Sequence, residues 1–379
     1  MDLNQNFTVT HKARKIHSVE KRPVITPLTI DDIDAVVALS RKYFPRSMDS
    51  SIHTQKRRIA TLYFKEGELL PNVSPIVSRA ANGNVNGFLG VITKPFRYNN
   101  RRITIANCHH LMATEEARNQ LMPMRLLQQF LAGPQDVSFS DGSSESTRQL
   151  WKRLGGESVI GESIYFKVPL RPLSFASGHL LKKNQNRIGD SIRFFASCTD
   201  SIAGRMRIPH FYKKKTDNGI IPLNTERMGI LLEKMELFYP LFPQYEPSEI
   251  ERLFRLLEGE TRFGTLHKAA ILDLNDEPIG WFIYYAQKKG SCEVIQAVSI
   301  PGKEADLFHT LAWHAYSMGG EVISGRLMPG QLRTPFTTQA IAVPARMWTL
   351  MKSNDLELRH VIQSGKAFMT RLEGDLWVL

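Results

Sequence analysis

The sequence predicts two tandem domains of one α/β fold, each a mixed antiparallel and parallel sheet flanked by helices. Its 379 residues suffice for two domains that each bury a core of their own. In two places the chain has a proline, then a helix-like stretch, then an aromatic-proline pair, with 18 residues from the first proline to the second. A glycine that opens an apolar strand follows the second proline after 42 residues in one copy and 40 in the other. A fixed order of such landmarks indicates a duplicated folding unit. The landmarks are Pro27, Pro45 and Gly87 in the first copy, and Pro222, Pro240 and Gly280 in the second.

Local patterns in the first copy predict alternating strands and helices. Thr29 followed by Asp32 is typical of a helix start, and Pro45 lies just past the end of the apolar periodicity that follows. The expected elements are a strand from residue 24, helices at 30–44 and within 53–65, strands at 76–80, 88–93 and 102–112, a helix at 115–131, a strand at 137–140, a helix from Ser143 or Ser144 to 154, and a strand at 159–168.

The second copy repeats this order. Its predicted elements are helices at 225–238 and 247–257, strands at 269–273, 279–286 and 292–299, a helix at 303–317, a strand at 321–324, a helix at 343–351, and two short strands within 366–379. In this alignment Trp348 of the second copy matches Trp151 of the first, both in late helices.

Positive charge is concentrated in one segment between the two predicted domains. The net charge is +12, and residues 171–217 alone carry ten Lys or Arg against three acids, most densely at Lys213. This stretch is either a solvated linker or a surface that attracts an anion such as a CoA phosphate, a nucleic acid or an anionic membrane. The predicted division is a polar basic N-terminal segment 1–22, a first domain 23–170, a basic connecting segment 171–219 and a second domain 220–379.

Composition excludes several classes of protein. The first six residues are polar, which argues against a secretory signal, and no apolar run approaches the roughly 20 residues that span a bilayer. Three scattered cysteines are too few for a disulfide framework or a zinc knuckle, so no metal is expected. We therefore expect a cytoplasmic protein without a transmembrane segment.

The order of elements resembles the GNAT superfamily of acyl-CoA-dependent N-acyltransferases, in a tandem arrangement. In that family a loop reading Gln/Arg-x-x-Gly-x-Gly/Ala follows the central strand and holds the CoA pyrophosphate on backbone N–H groups at a helix start. Here Arg118 matches the first motif position, whereas Leu121 and Pro123 replace the two glycines. The resemblance implies acetyl-CoA or a longer acyl-CoA as cofactor, with a degenerate loop. The implied contacts are Leu111, Met112, Ala113, Arg118, Asn119, Gln120, Leu121 and Ser144.

Acyl transfer needs a group that takes a proton from the amine and groups that polarise the thioester. His109 and His110 lie on the strand that lines the acyl site in this family, and strand alternation predicts that they point to opposite faces. Buried histidines that only bond backbone carbonyls are the alternative. Ser140 lies where the thioester would sit, although its stretch is also typical of a turn and helix cap. Arg326 holds the matching place in the second copy and is the candidate acceptor ligand.

We predict an acyl-CoA-dependent N-acyltransferase that acts on a small-molecule or sugar-like amine. Trp151 stands where the family often has a tyrosine that protonates the CoA thiolate, and an indole cannot do so. Two alternatives remain: a GNAT-derived binding or regulatory protein without activity, and a tandem-GNAT aminoacyl-transferase that uses charged tRNA. Apart from tRNA, no nucleic-acid partner is expected.

Overall fold

The computed structural model describes residues 24–44, 51–65, 68–69, 73–171, 217–287, 290–329, 331, 341–343 and 347–374. The predicted segment 1–22 and most of the predicted connecting segment 171–219, including its basic run at Lys213, lie outside these residues. Within the described ranges, no helix has the length and apolar composition of a membrane span.

The first half of the chain alternates strands and helices. Its elements are β1 Val24–Pro27, α1 Ile33–Tyr43, α2 Ile52–Tyr63, β2 Phe64–Lys65, β3 Glu68–Leu69, β4 Ile76–Arg79, β5 Val85–Tyr98, β6 Arg101–Ala113, α3 Glu115–Asn119, α4 Met122–Leu131, β7 Val137–Ser143, α5 Glu145–Arg153, β8 Glu157–Ser158 and β9 Tyr165–Pro169. Hydroxyl caps start three of these helices: Ser51 Oγ accepts the N–H of Thr54 at 3.1 Å, Thr114 Oγ1 that of Ala117 at 3.3 Å and Ser144 Oγ that of Thr147 at 3.3 Å. Ser144 rather than Ser143 is thus the cap of α5.

The second half follows a similar order. Its elements are β10 Gly219–Pro222, α6 Thr225–Glu236, β11 Leu241–Pro243, α7 Pro247–Glu258, β12 Thr265–Leu272, β13 Pro278–Ala286, β14 Ser291–Ser299, α8 Glu304–Ser317, β15 Val322–Arg326, β16 Ile341–Val343, β17 Trp348–Lys352 and α9 Leu356–Gln363. Asn224 caps α6 by accepting the N–H of Arg227 at 2.9 Å.

Two large sheets confirm the predicted α/β class. The first has the order β1-β4-β5-β6-β7-β17-β8, with β11 added to the end of β5, and the second has the order β10-β12-β13-β14-β15-β9-β16. In each sheet the fourth and fifth strands are parallel and every other pair is antiparallel. Helices flank these mixed sheets, and one apolar core takes residues from both halves, among them Val36, Tyr63, Leu231 and Trp281.

Each sheet takes its sixth strand from the other half of the chain. In the first sheet Leu350 of β17 pairs with Ser140 of β7 and with Ser158 of β8. In the second, Phe166 of β9 pairs with Gly325 of β15. These two strands belong by sequence to one predicted domain and by pairing to the sheet of the other. The limits 23–170 and 220–379 therefore stay predictions about sequence units, and the sheets interlock across them.

The helix predicted at 343–351 is wrong, because residues 348–352 form β17. Leu350 packs in the cluster that contains Trp151, and Met351 packs on the other face beside Phe139. A strand buried on both faces has a continuous apolar run, and periodicity alone cannot separate it from a buried helix. Trp348 is consequently not the counterpart of the helical Trp151.

Three further predictions need correction. The helix predicted at 115–131 is broken into α3 and α4 at Leu121. The strand predicted at 159–168 contains the 3₁₀ turn Gly161–Ser163 before β9. In place of the first strand predicted within 366–379, there is an isolated bridge between Ala367 and Leu241, and residues 375–379 lie outside the described ranges.

Candidate active site

The first sheet opens between its two parallel strands. Pairing of β6 with β7 runs from Ile105 opposite Val137 to Asn107 opposite Phe139 and then stops, although β6 continues to Ala113. Beyond Asn107 this pairing ends, while β7 continues to Ser143 and stays paired with β17 on its other edge. The facing edges of β6 and β7 beyond Asn107 thus leave a gap in the ladder, whose backbone groups need partners other than each other, and His109 and Asp141 on its two sides are buried.

Asn107 lies where this pairing ends. Its side chain is 3% exposed, and neither Oδ1 nor Nδ2 has a hydrogen-bond partner among the described residues. A buried amide without partners costs about 1–3 kcal/mol, so such groups are rare in native structures unless they serve a ligand or water. Asn107 is therefore a polar group ready to bond a molecule in the gap.

A β-bulge shapes β6 just past this point. Phe88 pairs with Met112 and Gly90 with His109, so His110 and Leu111 together oppose one residue of β5. His110 accordingly has a φ of 49°. The extra residue turns the following side chain, which is why strand alternation fails here. His109 and His110 lie side by side and not on opposite faces as predicted.

The two histidines form a hydrogen-bonded chain with Tyr63. His109 Nδ1 lies 3.0 Å from Nδ1 of His110, and its Nε2 lies 3.0 Å from the Tyr63 hydroxyl oxygen. Gly90 leaves the room for this contact, because a Cβ there would lie 2.2 Å from Cε1 of His109. The ring of Phe44 packs edge-on to His110, with centroids 5.1 Å apart. One Nδ1 must carry a proton that the other accepts.

Both imidazoles are held in the neutral form. Burial lowers the pKa of His109 well below its usual range, and the neighbouring His110 adds to the shift. Burial, together with the charges of Arg58 and Arg262, lowers the pKa of His110 to about 4. Nε2 of His110 is buried without a hydrogen-bond partner among the described residues. It is thus a neutral ring nitrogen open to an incoming group.

The loop after β6 keeps a turn suited to glycine although it has none. Thr114 caps α3, and Leu121 then precedes α4 with φ 58° and ψ 28°, in the left-handed region. The N–H groups of Met124 and Arg125 bond to the Leu121 carbonyl, and Pro123 has no N–H. Of the first turn of α4, the N–H of Met122 has no backbone partner among the described residues. Asn119 and Gln120 complete this turn.

Two positive side chains, Arg118 and Lys42, lie near this loop. The guanidinium of Arg118 lies 4.4 Å from the ring centroid of Tyr43, and the ammonium of Lys42 lies 5.5 Å from the same ring. Both cations thus lie beside Tyr43 at the end of α1, and the charge of Lys42 also acts on Glu116 at the start of α3. The combination of a helix N-terminus and cations favours a phosphate group.

The remaining predicted residues of the first copy are engaged within the protein. Ser140 is buried and its hydroxyl lies 2.9 Å from that of Ser143. Ser144 caps α5, as described above. Trp151 is fully buried against Phe130, with its Nε1 unpartnered among the described residues. The indole therefore contributes to the core.

Arg326 lies in a buried ionic cluster where the two halves meet. Its Nη1 is 3.0 Å from Oδ2 of Asp141, its Nε is 3.9 Å from a Glu162 oxygen, and its Nη2 donates to the Met369 carbonyl at 3.0 Å. Burial raises the pKa of Glu162 to about 7, while Arg326 opposes that shift. The guanidinium predicted to bind an acceptor thus joins the two sheets.

Lys94 extends the same cluster. Its ammonium donates to the Leu372 carbonyl at 2.8 Å and to the Tyr245 hydroxyl at 3.2 Å, and Tyr245 in turn donates to Glu373. Burial lowers the pKa of Lys94, and Glu373 counteracts this. Polar groups from both halves are therefore concentrated between the sheets.

Comparison with known proteins identifies the fold. No protein-family model matches the sequence, and no curated protein matches it. A GCN5-related N-acetyltransferase from Anabaena variabilis superposes with a TM-score of 0.58 at 13% identity, over 88% of this chain and 74% of that one. One from Kribbella flavida gives 0.54 at 12% (88% and 72%), and a probable N-acyltransferase from Enterococcus faecalis gives 0.54 at 9% (88% and 73%). The chain has the GNAT fold, in tandem.

The two GNAT units differ at the gap between their parallel strands. In the second unit the chain itself occupies the edge of β14: Gln331 donates to the Ala297 carbonyl at 2.7 Å, and Arg371 to that of Val294 at 3.2 Å. Gln296, beside them, donates to the Thr370 hydroxyl at 3.1 Å. In the first unit, Asn107 lies where the ladder ends with its amide unpartnered among the described residues, and Arg326 contacts Asp141 on the facing strand. The first GNAT unit is therefore the better candidate for a ligand.

Several residues of this site escaped sequence reasoning. Tyr63 and Phe44 are single aromatics at helix ends, and nothing in the pattern distinguishes them from core residues. Glu162 and Asp141 could not be identified from the sequence, because their contact with Arg326 joins the two halves of the chain. Asn107 did carry a signal, because it interrupts an apolar strand with a polar side chain.

Proposed function

We propose that this protein is an acyl-CoA-dependent N-acyltransferase whose first GNAT unit carries the reaction. The observation that carries the proposal is the gap beyond Asn107, which has an unpartnered amide at its base and the neutral His110 at its bulge. The second unit lacks such a gap, since its own residues bond the β14 edge.

The loop between Thr114 and Met122 fits the phosphates of CoA. Its left-handed turn at Leu121 precedes the start of α4, where the Met122 N–H would bond a phosphate, and Arg118 and Lys42 supply positive charge. When bound, acyl-CoA supplies an acyl group activated as a thioester. Residues 111–113 of β6 would lie beside the pantetheine arm, because they follow the bulge along the open edge.

His110 serves as the proton acceptor in this proposal. The amine nitrogen bonds to the acyl carbon as the carbon–sulfur bond breaks, the amine proton passes to Nε2 of His110, and the imidazolium returns it to the leaving sulfur. His110 can accept when its own Nδ1–H donates to His109, whose Nε2–H then donates to Tyr63. The chain of three residues thus sets the tautomer that leaves Nε2 of His110 free to accept.

Calorimetry with acetyl-CoA and longer acyl-CoAs tests the proposal. Arg118→Glu reverses a charge beside the phosphates and should weaken binding at least tenfold, about 1.4 kcal/mol. Arg153→Glu, an exposed arginine on α5, makes the same change of net charge away from the loop and should have no effect. Equal affinity in both variants would show that the phosphates do not bind at Arg118.

One observation favours a second function, a binding protein without transfer activity. Leu121 puts a side chain where the resemblance expects a glycine, and Pro123 removes an N–H donor. A wild-type protein that neither binds nor is stabilised by any acyl-CoA would support this alternative. At 100 times its dissociation constant a bound ligand would add about 2.7 kcal/mol to stability, so its absence is readily detected.

A further inference from the structure

A cavity of about 570 Å³ lies between α2 of the first half and the end of α7 in the second. Four arginines and one glutamate line it, with neutral polar and apolar residues between them. These charged residues are Arg57, Arg58, Arg255, Arg262 and Glu260. The volume is that of a pocket for a small molecule, and the excess of positive charge favours an anion.

The floor of the cavity is a nearly buried ionic triad. Glu260 accepts Nε and Nη2 of Arg262 at 2.8 and 2.6 Å and also bonds Arg58. Burial alone would raise the pKa of Glu260, but the hydrogen bonds from Arg262 and the charge of Arg58 lower it. One carboxylate therefore faces two guanidiniums, whose side chains are only 21% and 12% exposed. Because little water screens these groups, ionic interactions at the floor of the cavity are stronger than on the open surface.

The rim adds two accessible cations. Arg57 is exposed on α2. Arg255 pairs with Glu251, but the two side chains are 63% and 61% exposed, and such solvated pairs contribute little energy. Arg255 can therefore turn to an anion at small cost.

The cavity and the contact of the histidine pair share helix α2. Arg58 and Tyr63 belong to the same helix and lie five residues apart, about 7.5 Å along its axis. Tyr63 bonds His109, and the charges of Arg58 and Arg262 reach His110. A molecule with its anion against the triad could thus extend along α2 toward His110.

We propose that this cavity binds the anionic group of the acyl acceptor, so that the acceptor is a small amine carrying a phosphate or carboxylate. That the bound molecule is the acyl acceptor rests on the proposed acyltransferase function. That the cavity binds an anion does not depend on that function. Arginine forks bind both kinds of group through paired hydrogen bonds, and the two are distinguished by the probes below.

Binding of inorganic phosphate, and separately of acetate, tests the site at constant ionic strength by calorimetry. In Arg57→Gln/Arg255→Gln, which leaves the triad intact, affinity for the preferred anion should fall at least tenfold. Arg153→Gln/Arg227→Gln removes two exposed arginines elsewhere and should bind as the wild type does. No binding of either anion to the wild type overturns the proposal. The proposal is also overturned if Arg118→Gln abolishes phosphate binding while Arg57→Gln/Arg255→Gln retains it, because the anion then binds at the cofactor loop.

Kinetics test the link to the acceptor. With acyl-CoA, ω-amino phosphates or ω-amino carboxylates of two to six carbons should exceed the matched ω-amino alcohols at least tenfold in kcat/KM. This ratio should approach one in Arg57→Gln/Arg255→Gln and stay unchanged in the control variant. If this kcat/KM ratio is the same in the wild type and in Arg57→Gln/Arg255→Gln, the assignment is overturned. It is also overturned if the wild type binds RNA but no small anion and Arg57→Gln/Arg255→Gln binds RNA more weakly. Failure of acyl-CoA binding alone, with anion binding retained, refutes the proposed function and leaves the anion site standing.

Discussion

Replacing Leu121 with glycine tests whether the loop before α4 holds a strained backbone. Leu121 has φ 58° and ψ 28°, where residues other than glycine are disfavoured by about 1–2 kcal/mol. Its side chain is 59% exposed, so little apolar burial is lost. Glycine also frees the unfolded chain, at a cost of about 0.4–1 kcal/mol. The free energy of unfolding should therefore rise by about 0–1.5 kcal/mol.

Urea denaturation measures this change, with Leu237→Gly as the matched control. Leu237 is 84% exposed at the end of α6 but has φ −62° and ψ −19°. There glycine relieves no strain and should lower the free energy of unfolding by about 1 kcal/mol. A loss of that size in both variants would refute the reasoning. Leu121→Gly should also bind acyl-CoA more tightly, because phosphate can approach a residue without a Cβ more closely.

Three other predictions concern His110 and Arg326. His110→Ala should lower turnover by about 10²–10⁴ with little loss of thermal stability, and a proportionate loss of both would indicate a purely structural role. The pKa of His110 lies near 4, below its ordinary 6.5, so the unfolded chain takes up that proton first. The stability from the neutral ring is complete above about pH 6.5 and declines toward pH 4, and denaturation of His110→Asn against pH should show a flatter decline. Arg326→Met removes the guanidinium that lies 3.0 Å from the buried Asp141 and should cost about 3–5 kcal/mol in urea denaturation, while adding Asp141→Leu should recover much of the loss. A double variant no more stable than Arg326→Met would contradict this account.

Much of the fold was predictable because local patterns determine it. Helices such as α7 have one apolar stripe, and strands such as β13 lie between clear turn residues. The duplication was visible because both units keep the same spacing of prolines and glycines. The position of the candidate cofactor loop after the central strand followed from that order, and the role of Arg118 in it stays a prediction.

The rest depends on contacts that no local pattern records. β17 is apolar on both sides because it lies inside a sheet built by the other half. The bulge at His110 arises from the register between β5 and β6, and it overrides the alternation that the sequence suggests. The contact between Glu260 and Arg58 cannot be predicted from local sequence, because the two residues lie 202 positions apart in the chain. The roles proposed for His109, His110, Ser140 and Arg326 stay predictions until variants are measured.

The exchange of sixth strands has a consequence for synthesis of the chain. β7 ends at Ser143, and the strand that covers its free edge begins at Trp348. At ribosomal rates of about 5–20 residues per second, roughly 200 residues take about 10–40 s to make. Throughout that time β7 presents an unpaired edge, which is a template for aggregation. We therefore expect nascent chains released before Trp348 to need a chaperone, and the two halves to acquire lasting structure together and late.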